Sequence, residues 1–231
     1  MKDLKILNKI FSKLTPLFQP LSNTGLISVY AYEIPDRESD LNTLGFSLLF
    51  IFESLDTQLL NSFKSITKLV KKYPVKFTVF TKNELENALD VFPIEFLDML
   101  HNRHLIMGID LLETMRVTPT YLRHECEFYL RSHILKLRHG FIQGKIPAKE
   151  LILHSFQPCL TIFKYLLKLK NNEIPNTNKD LVAKAAQEFN FSPNVFFQII
   201  ENIGSKDLGS YFHDYLTQLA VITAHVDQLQ L

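Results

Sequence analysis

The chain has no tryptophan, two cysteines and seven glycines among 231 residues, and each shortage excludes a class of protein. Two thiols cannot frame a disulfide-stapled secreted fold of this length. Cys126 and Cys159 both fall in apolar helical patterns and read as buried free thiols of a reducing compartment. So few glycines argue against loop-rich β architecture and leave no Gly-rich phosphate loop and no Gly-x-Ser-x-Gly elbow. Charge of one sign is also missing: 25 basic against 24 acidic residues leave a net charge of +1. That balance gives no whole-molecule field to draw nucleic acid or a membrane surface. No stretch approaches the ~20 apolar residues that span a bilayer. The first 19 residues have lysines interspersed among Leu4, Leu7, Ile10, Phe11 and Leu14, so they lack the unbroken core of a signal peptide. The expectation is a cytoplasmic protein with no membrane partner and no strong nucleic-acid signal.

What the chain does have is a 46% apolar composition and 19 phenylalanines, enough for one large core or two small ones. A first amphipathic helix ends at Pro16 and Pro20, and Ser22-Asn23-Thr24-Gly25 makes a turn. Leu26 to Ile34 alternates and is rich in β-branched and aromatic residues, which predicts a strand. Phe46 to Phe52 is a nearly continuous apolar run of strand length, as in a strand buried on both faces. Asp56 to Lys72 is predicted helical, with Asp56 or Ser54 as its cap, and Val75 to Phe80 is a third strand. Thr81 with Glu84 has the capping-box spacing, a helix-like segment starts at Asp90, and His104 to Asp110 reads as a short strand and turn. From Pro119 onward the period is helical throughout: Tyr121 to Gln143, Lys149 to Lys170, Asp180 to Phe189, Val195 to Ile203 and Ser210 to Leu231. The predicted fold class is therefore α+β, a small mixed sheet with helices followed by an all-α helical bundle. The division is expected at residues 1–116 and 117–231.

The words Phe80-Thr81-Lys82-Asn83-Glu84-Leu85, Asp90-Val91-Phe92-Pro93-Ile94-Glu95-Phe96-Leu97-Asp98 and Leu122-Arg123-His124-Glu125-Cys126-Glu127, with Leu130-Arg131 and Leu135-Lys136-Leu137-Arg138, carry a resemblance. They resemble a group of bacterial proteins with a nucleotidyltransferase-like N-terminal domain and a helical C-terminal domain, the latter similar in layout to that of kanamycin nucleotidyltransferase. The resemblance implies a Gly-Ser turn after the first strand, an acidic-hydrophobic-acidic pair on the second and a third carboxylate on a later strand. Such carboxylates hold the divalent cations that clamp a triphosphate. Laid over this chain, the turn falls at Tyr30-Ala31-Tyr32, with Ala31 and Tyr32 in place of Gly and Ser. The paired acids are replaced by Gly45 and Ser47, and the inward positions of the third strand, Lys76, Thr78 and Phe80, include no acid. The implied active site is degenerate, with no cofactor.

Other groups can be read two ways. Glu38-Ser39-Asp40 is either a shifted carboxylate pair, which would restore Mg²⁺-dependent catalysis, or a solvated charged loop. Asp90, Glu95 and Asp98 are either a metal cluster or helix-start charges. Arg123, Arg131 and Arg138 on the long helix either hold phosphate or pair with Glu125, Glu127 and the neighbouring domain. His101 and His104 have zinc-like spacing without a supporting cysteine. The leading expectation is a non-catalytic nucleotidyltransferase-fold protein acting by ligand binding or assembly. Its cleft would be lined by Tyr30, Tyr32, Ser47, Lys76 and Arg131 and would take a nucleotide or other phosphate-bearing small molecule. Two alternatives stand beside it: an active enzyme using Glu38 and Asp40, and a structural protein forming a homodimer through the helical face Leu208 to Leu231.

Overall fold

The computed structural model describes residues 11–32, 45–69, 75–101 and 103–230. The chain falls into two compact units, Met1–Val117 and Thr118–Leu231. The architecture is α+β, a four-stranded mixed sheet with helices followed by an all-α region.

In the first unit, residues 11–18 form helix α1, and a 3-10 turn at Gln19–Thr24 ends on Gly25 in the left-handed conformation. Then come β1 (Leu26–Tyr32), β2 (Phe46–Phe52), α2 (Thr57–Leu69), β3 (Val75–Thr81), α3 (Lys82–Asn87), α4 (Pro93–His101) and β4 (His104–Gly108). The spatial order is β3-β2-β1-β4. β2 and β3 are parallel and joined through α2, whereas β1 is antiparallel to both β2 and β4.

Every residue of β2 is buried because the sheet is covered on both sides. Leu48, Phe50 and Phe52 enter one core with Phe11, Leu14 and Phe18 of α1 and Leu59, Phe63 and Ile66 of α2. Leu49 and Ile51 enter the other with Tyr30 and Tyr32 of β1, Leu85 of α3, and Phe96 and Met99 of α4. The caps fall where their chemistry requires. Leu59 N donates to Asp56 Oδ1 at 2.7 Å, and Thr81 N donates to Glu84 Oε2 at 2.7 Å while Thr81 Oγ1 accepts from Glu84 N at 3.1 Å.

The second unit comprises α5 (Pro119–Gln143), α6 (Ala148–Leu169), α7 (Asn178–Phe189), α8 (Asn194–Glu201), a 3-10 turn at Lys206–Tyr211 and α9 (Phe212–Asp227). α6 buries a broad apolar face, with His154, Gln157, Thr161 and Lys164 exposed on the other side, and packs on α5 and α7. It runs unbroken through Pro158, whose ring removes one backbone donor. Leu122, Cys126, Leu130, Ile134 and Leu137 of α5 are buried in this bundle. Phe141, which the sequence places in the same stripe, is exposed. It lies in the last turn before the Gly144 cap, where Phe212 stacks on it with ring centroids 4.7 Å apart.

The face of α9 expected to meet a second copy is used differently. Leu208, Phe212, Tyr215, Leu219, Ile222 and Val226 are buried within their own unit. Phe163, Phe191 and Phe196 form an aromatic cluster that Tyr215 joins through Phe196, their centroids 5.7 Å apart. Cys126 and Cys159 are free and buried, and burial pushes the Cys159 thiol up to about 12.

Candidate functional site

Three of the five side chains expected to line a cleft form one row across the sheet. Tyr32 of β1 is the register partner of Ser47 in β2, and Ser47 is the partner of Lys76 in β3. Side chains alternate along a strand, so this row and the next, Tyr30-Leu49-Thr78, point to the same face. The turn expected at Tyr30-Ala31-Tyr32 is absent. These residues are extended strand, paired with Leu49, Leu48 and Ser47, because the alternating aromatic pattern continues without a breaker.

Within the row, Tyr32 and Ser47 are buried and Lys76 is exposed. The hydroxyls of Tyr32 and Thr78 share a hydrogen bond of 2.7 Å. Tyr30 is fully buried and works as a clamp rather than a lining residue. Its oxygen accepts from Leu111 N at 2.7 Å, and its proton faces Ile109 O and Asp110 Oδ1, both at 3.1 Å. Burial, with the Asp110 carboxylate beside it, raises the Tyr30 hydroxyl above its ordinary range, so it stays neutral and bonded.

A divalent cation asks for carboxylate oxygens to offset its dehydration. The row provides hydroxyl groups and an ammonium, a donor set that does not fit Mg²⁺ but suits an anion. Among the described residues no group of three or more His, Cys, Asp or Glu could hold a metal ion. Glu38 and Asp40 lie outside the described residues, as does the side chain of His101. His104 is stacked on Phe11 with centroids 4.9 Å apart, and burial lowers its pKa.

Arg131 belongs to the helical unit, and its charge is committed there. Its Nε donates to Glu127 Oε1 at 2.7 Å, and its other end lies 3.5 Å from Asp227 Oδ2. Arg123 donates to Glu127 Oε2 at 3.0 Å and to the carbonyls of Val226 and Asp227 at 3.2 and 3.3 Å, at the C-terminus of α9, where the helix dipole favours a cation. Of the acids expected to pair with the arginines, Glu127 takes two of them, the spacing of four residues on either side bringing it between Arg123 and Arg131.

No protein-family profile matches this chain, and no curated protein sequence matches it. Among solved structures, the chain is similar to a nucleotidyltransferase-like protein from Exiguobacterium sibiricum 255-15. Identity is 11%, the match covers 93% of this chain and 74% of the other, and the TM-score is 0.47.

The Glu127 network sets a pH dependence. Burial pushes its carboxyl up, but Arg131 and then Arg123 outweigh burial and hold it below the ordinary glutamate range. A depressed folded pKa stabilises the fold above the unfolded value of about 4.3 and loses that contribution as pH falls through the folded value. Glu127→Gln is expected to cost about 1–2 kcal/mol at pH 7, discounted because Arg131 is half exposed, with the gap from wild type closing below about pH 4. Urea unfolding at both pH values checks this. A gap unchanged by pH would mean that packing, not charge, carries the effect.

Proposed function

We propose that this chain is a non-catalytic protein of the nucleotidyltransferase fold that acts by binding or assembly rather than by transferring nucleotides. The observation that carries the reading is the Tyr32-Ser47-Lys76 row. The sequence resemblance asks for metal-binding carboxylates at the start of the second strand and on a later one. There Ser47 is neutral and buried, Gly45 has no side chain, and Lys76 repels a cation. Lys76, exposed beside hydroxyl groups, suits a phosphate or carboxylate.

Calorimetry with ATP and GTP, with and without Mg²⁺ or Mn²⁺, tests the reading. The expected result is no metal-dependent triphosphate binding and no release of pyrophosphate. Metal-dependent micromolar binding that disappears on Asp40→Ala or Glu38→Ala would replace it with the shifted-carboxylate enzyme. Anion binding that needs no metal and weakens about tenfold in Lys76→Ala, a loss of one charge-assisted contact, supports the binding form.

A further inference from the structure

Helix α5 carries two apolar stripes. One faces its own bundle. On the opposite side stand Tyr121, Phe128, Leu135 and Ile142, which are 43%, 65%, 63% and 83% exposed. They recur every seven residues. A heptad step drifts only about 20° around an α-helix, so the four form a nearly straight line along roughly 30 Å of helix. Side chains of this size and exposure present on the order of 500 Å² of apolar surface along this line.

We propose that this stripe seats a second copy of the same chain, with the two α5 helices antiparallel about a two-fold axis between Arg131 and Ser132. The proposal names the partner that the assembly reading leaves open, and it rests on that reading.

Three features favour a second copy over another occupant. The first is self-complementarity. The axis sets Tyr121 level with Ile142 of the second copy and Phe128 level with Leu135, so each aromatic ring meets an aliphatic side chain, and the interface is isologous. The second is charge. The acid beside the stripe, Glu125, lies in the N-terminal half of α5, whereas Lys136, Arg138 and His139 lie in the C-terminal half; Glu127 is already held by Arg123 and Arg131. Antiparallel packing brings Glu125 to Lys136 and His139 of the second copy. Parallel packing would set Lys136 and Arg138 each against its own copy, which like-charge repulsion disfavours. Arg131, close to the axis, is already neutralised by Glu127 and Asp227. The third is area. Two such stripes bury about 1,000 Å² in total, the lower bound for a specific interface.

Sedimentation velocity on the full chain across roughly 1–100 µM is the test, a range matched to an interface of this size. The expected result is a reversible dimer. Phe128→Glu combined with Leu135→Glu should weaken it at least about 100-fold by placing four carboxylates in the seam, and melting at a dilution where wild type is monomeric should stay unchanged because both side chains are exposed. A second measurement does not depend on that variant. The native thiols are buried, so Ser132→Cys adds an accessible thiol beside the axis. A short bis-maleimide should join two copies through it much faster than through Gln187→Cys, an exposed position on α7. A wild-type chain that stays monomeric, a dimer indifferent to the double substitution, or equal cross-linking at the two thiols would overturn the proposal. The outcomes are separable from those above. Metal-dependent triphosphate binding would end the non-catalytic reading and leave the dimer standing, whereas a monomer would end the dimer alone.

Discussion

Phe50→Ala should destabilise the first unit by about 3–5 kcal/mol, the range for deleting a fully buried aromatic ring. Phe50 sits mid-strand in β2 with no exposed surface. Its ring meets Phe18 edge-on at 5.1 Å, Phe63 edge-on at 4.9 Å and Phe77 in a stack at 5.8 Å. It therefore joins both helices of that layer to the neighbouring strand. Removing it leaves a void bordered by three rings that cannot all close in. Urea unfolding followed by circular dichroism, with the helical unit as an internal reference, measures the loss. Phe50→Leu, which keeps most of the volume, should recover more than half. A loss under about 1 kcal/mol would show that the ring cluster relaxes around the hole and does not hold the layer.

Gly108→Ala should cost at least about 3 kcal/mol, more than backbone conformation alone explains. Gly108 ends β4 with φ +94, and a Cβ there would stand 1.9 Å from the carbonyl oxygen of Ile27. That carbonyl belongs to the irregular start of β1 and accepts from Ile109 N at 3.3 Å, so it is held in place. Gly144→Ala separates the two causes. It shares a left-handed φ of +64 but has nothing within 4 Å of the added methyl, so only the conformational penalty of about 1 kcal/mol remains. Equal losses at the two glycines, read from thermal melts of both variants, would remove the clash from the explanation.

Much of the first unit is legible in the sequence where one physical signal acts alone. Phe46 to Phe52 reads as a doubly buried strand because six of its seven residues are apolar and fall on both faces, and the strand has those bounds. Thr81 and Glu84 read as a capping box because its two hydrogen bonds need that spacing. The inner stripe of α5 from Leu122 to Leu137 reads correctly because its period repeats through the helix. Reading fails where two signals compete. At Tyr30-Ala31-Tyr32 a turn imposed by the family pattern yields to the strand tendency of alternating aromatics. On α5 the outer line of Tyr121, Phe128, Leu135 and Ile142 is hidden in the sequence because it lies opposite the core stripe, with arginines between its members that mark a polar face. Arg131 shows a third failure. Its partner Asp227 lies 96 positions away, and no local pattern announces such a pairing. The candidate row was half legible: strand alternation puts Lys76 and Thr78 on one face, but only register reveals that Tyr32, Ser47 and Lys76 stand abreast.

The Tyr30 clamp also bears on how the chain reaches its fold. The hydroxyl of Tyr30 meets partners 79 to 82 residues further along, at Ile109, Asp110, Leu111 and Leu112. β1 is thus made before β4 but can be closed on that side only after roughly 80 further residues have left the ribosome. Until then its outer edge presents unpaired backbone next to a buried tyrosine with no bonding partner, the kind of surface that recruits stray strands. Loops of this length slow folding more than they weaken the finished fold. The first unit should therefore form slowly and late, and its vulnerable interval ends when Leu111 and Leu112 arrive to bind the hydroxyl.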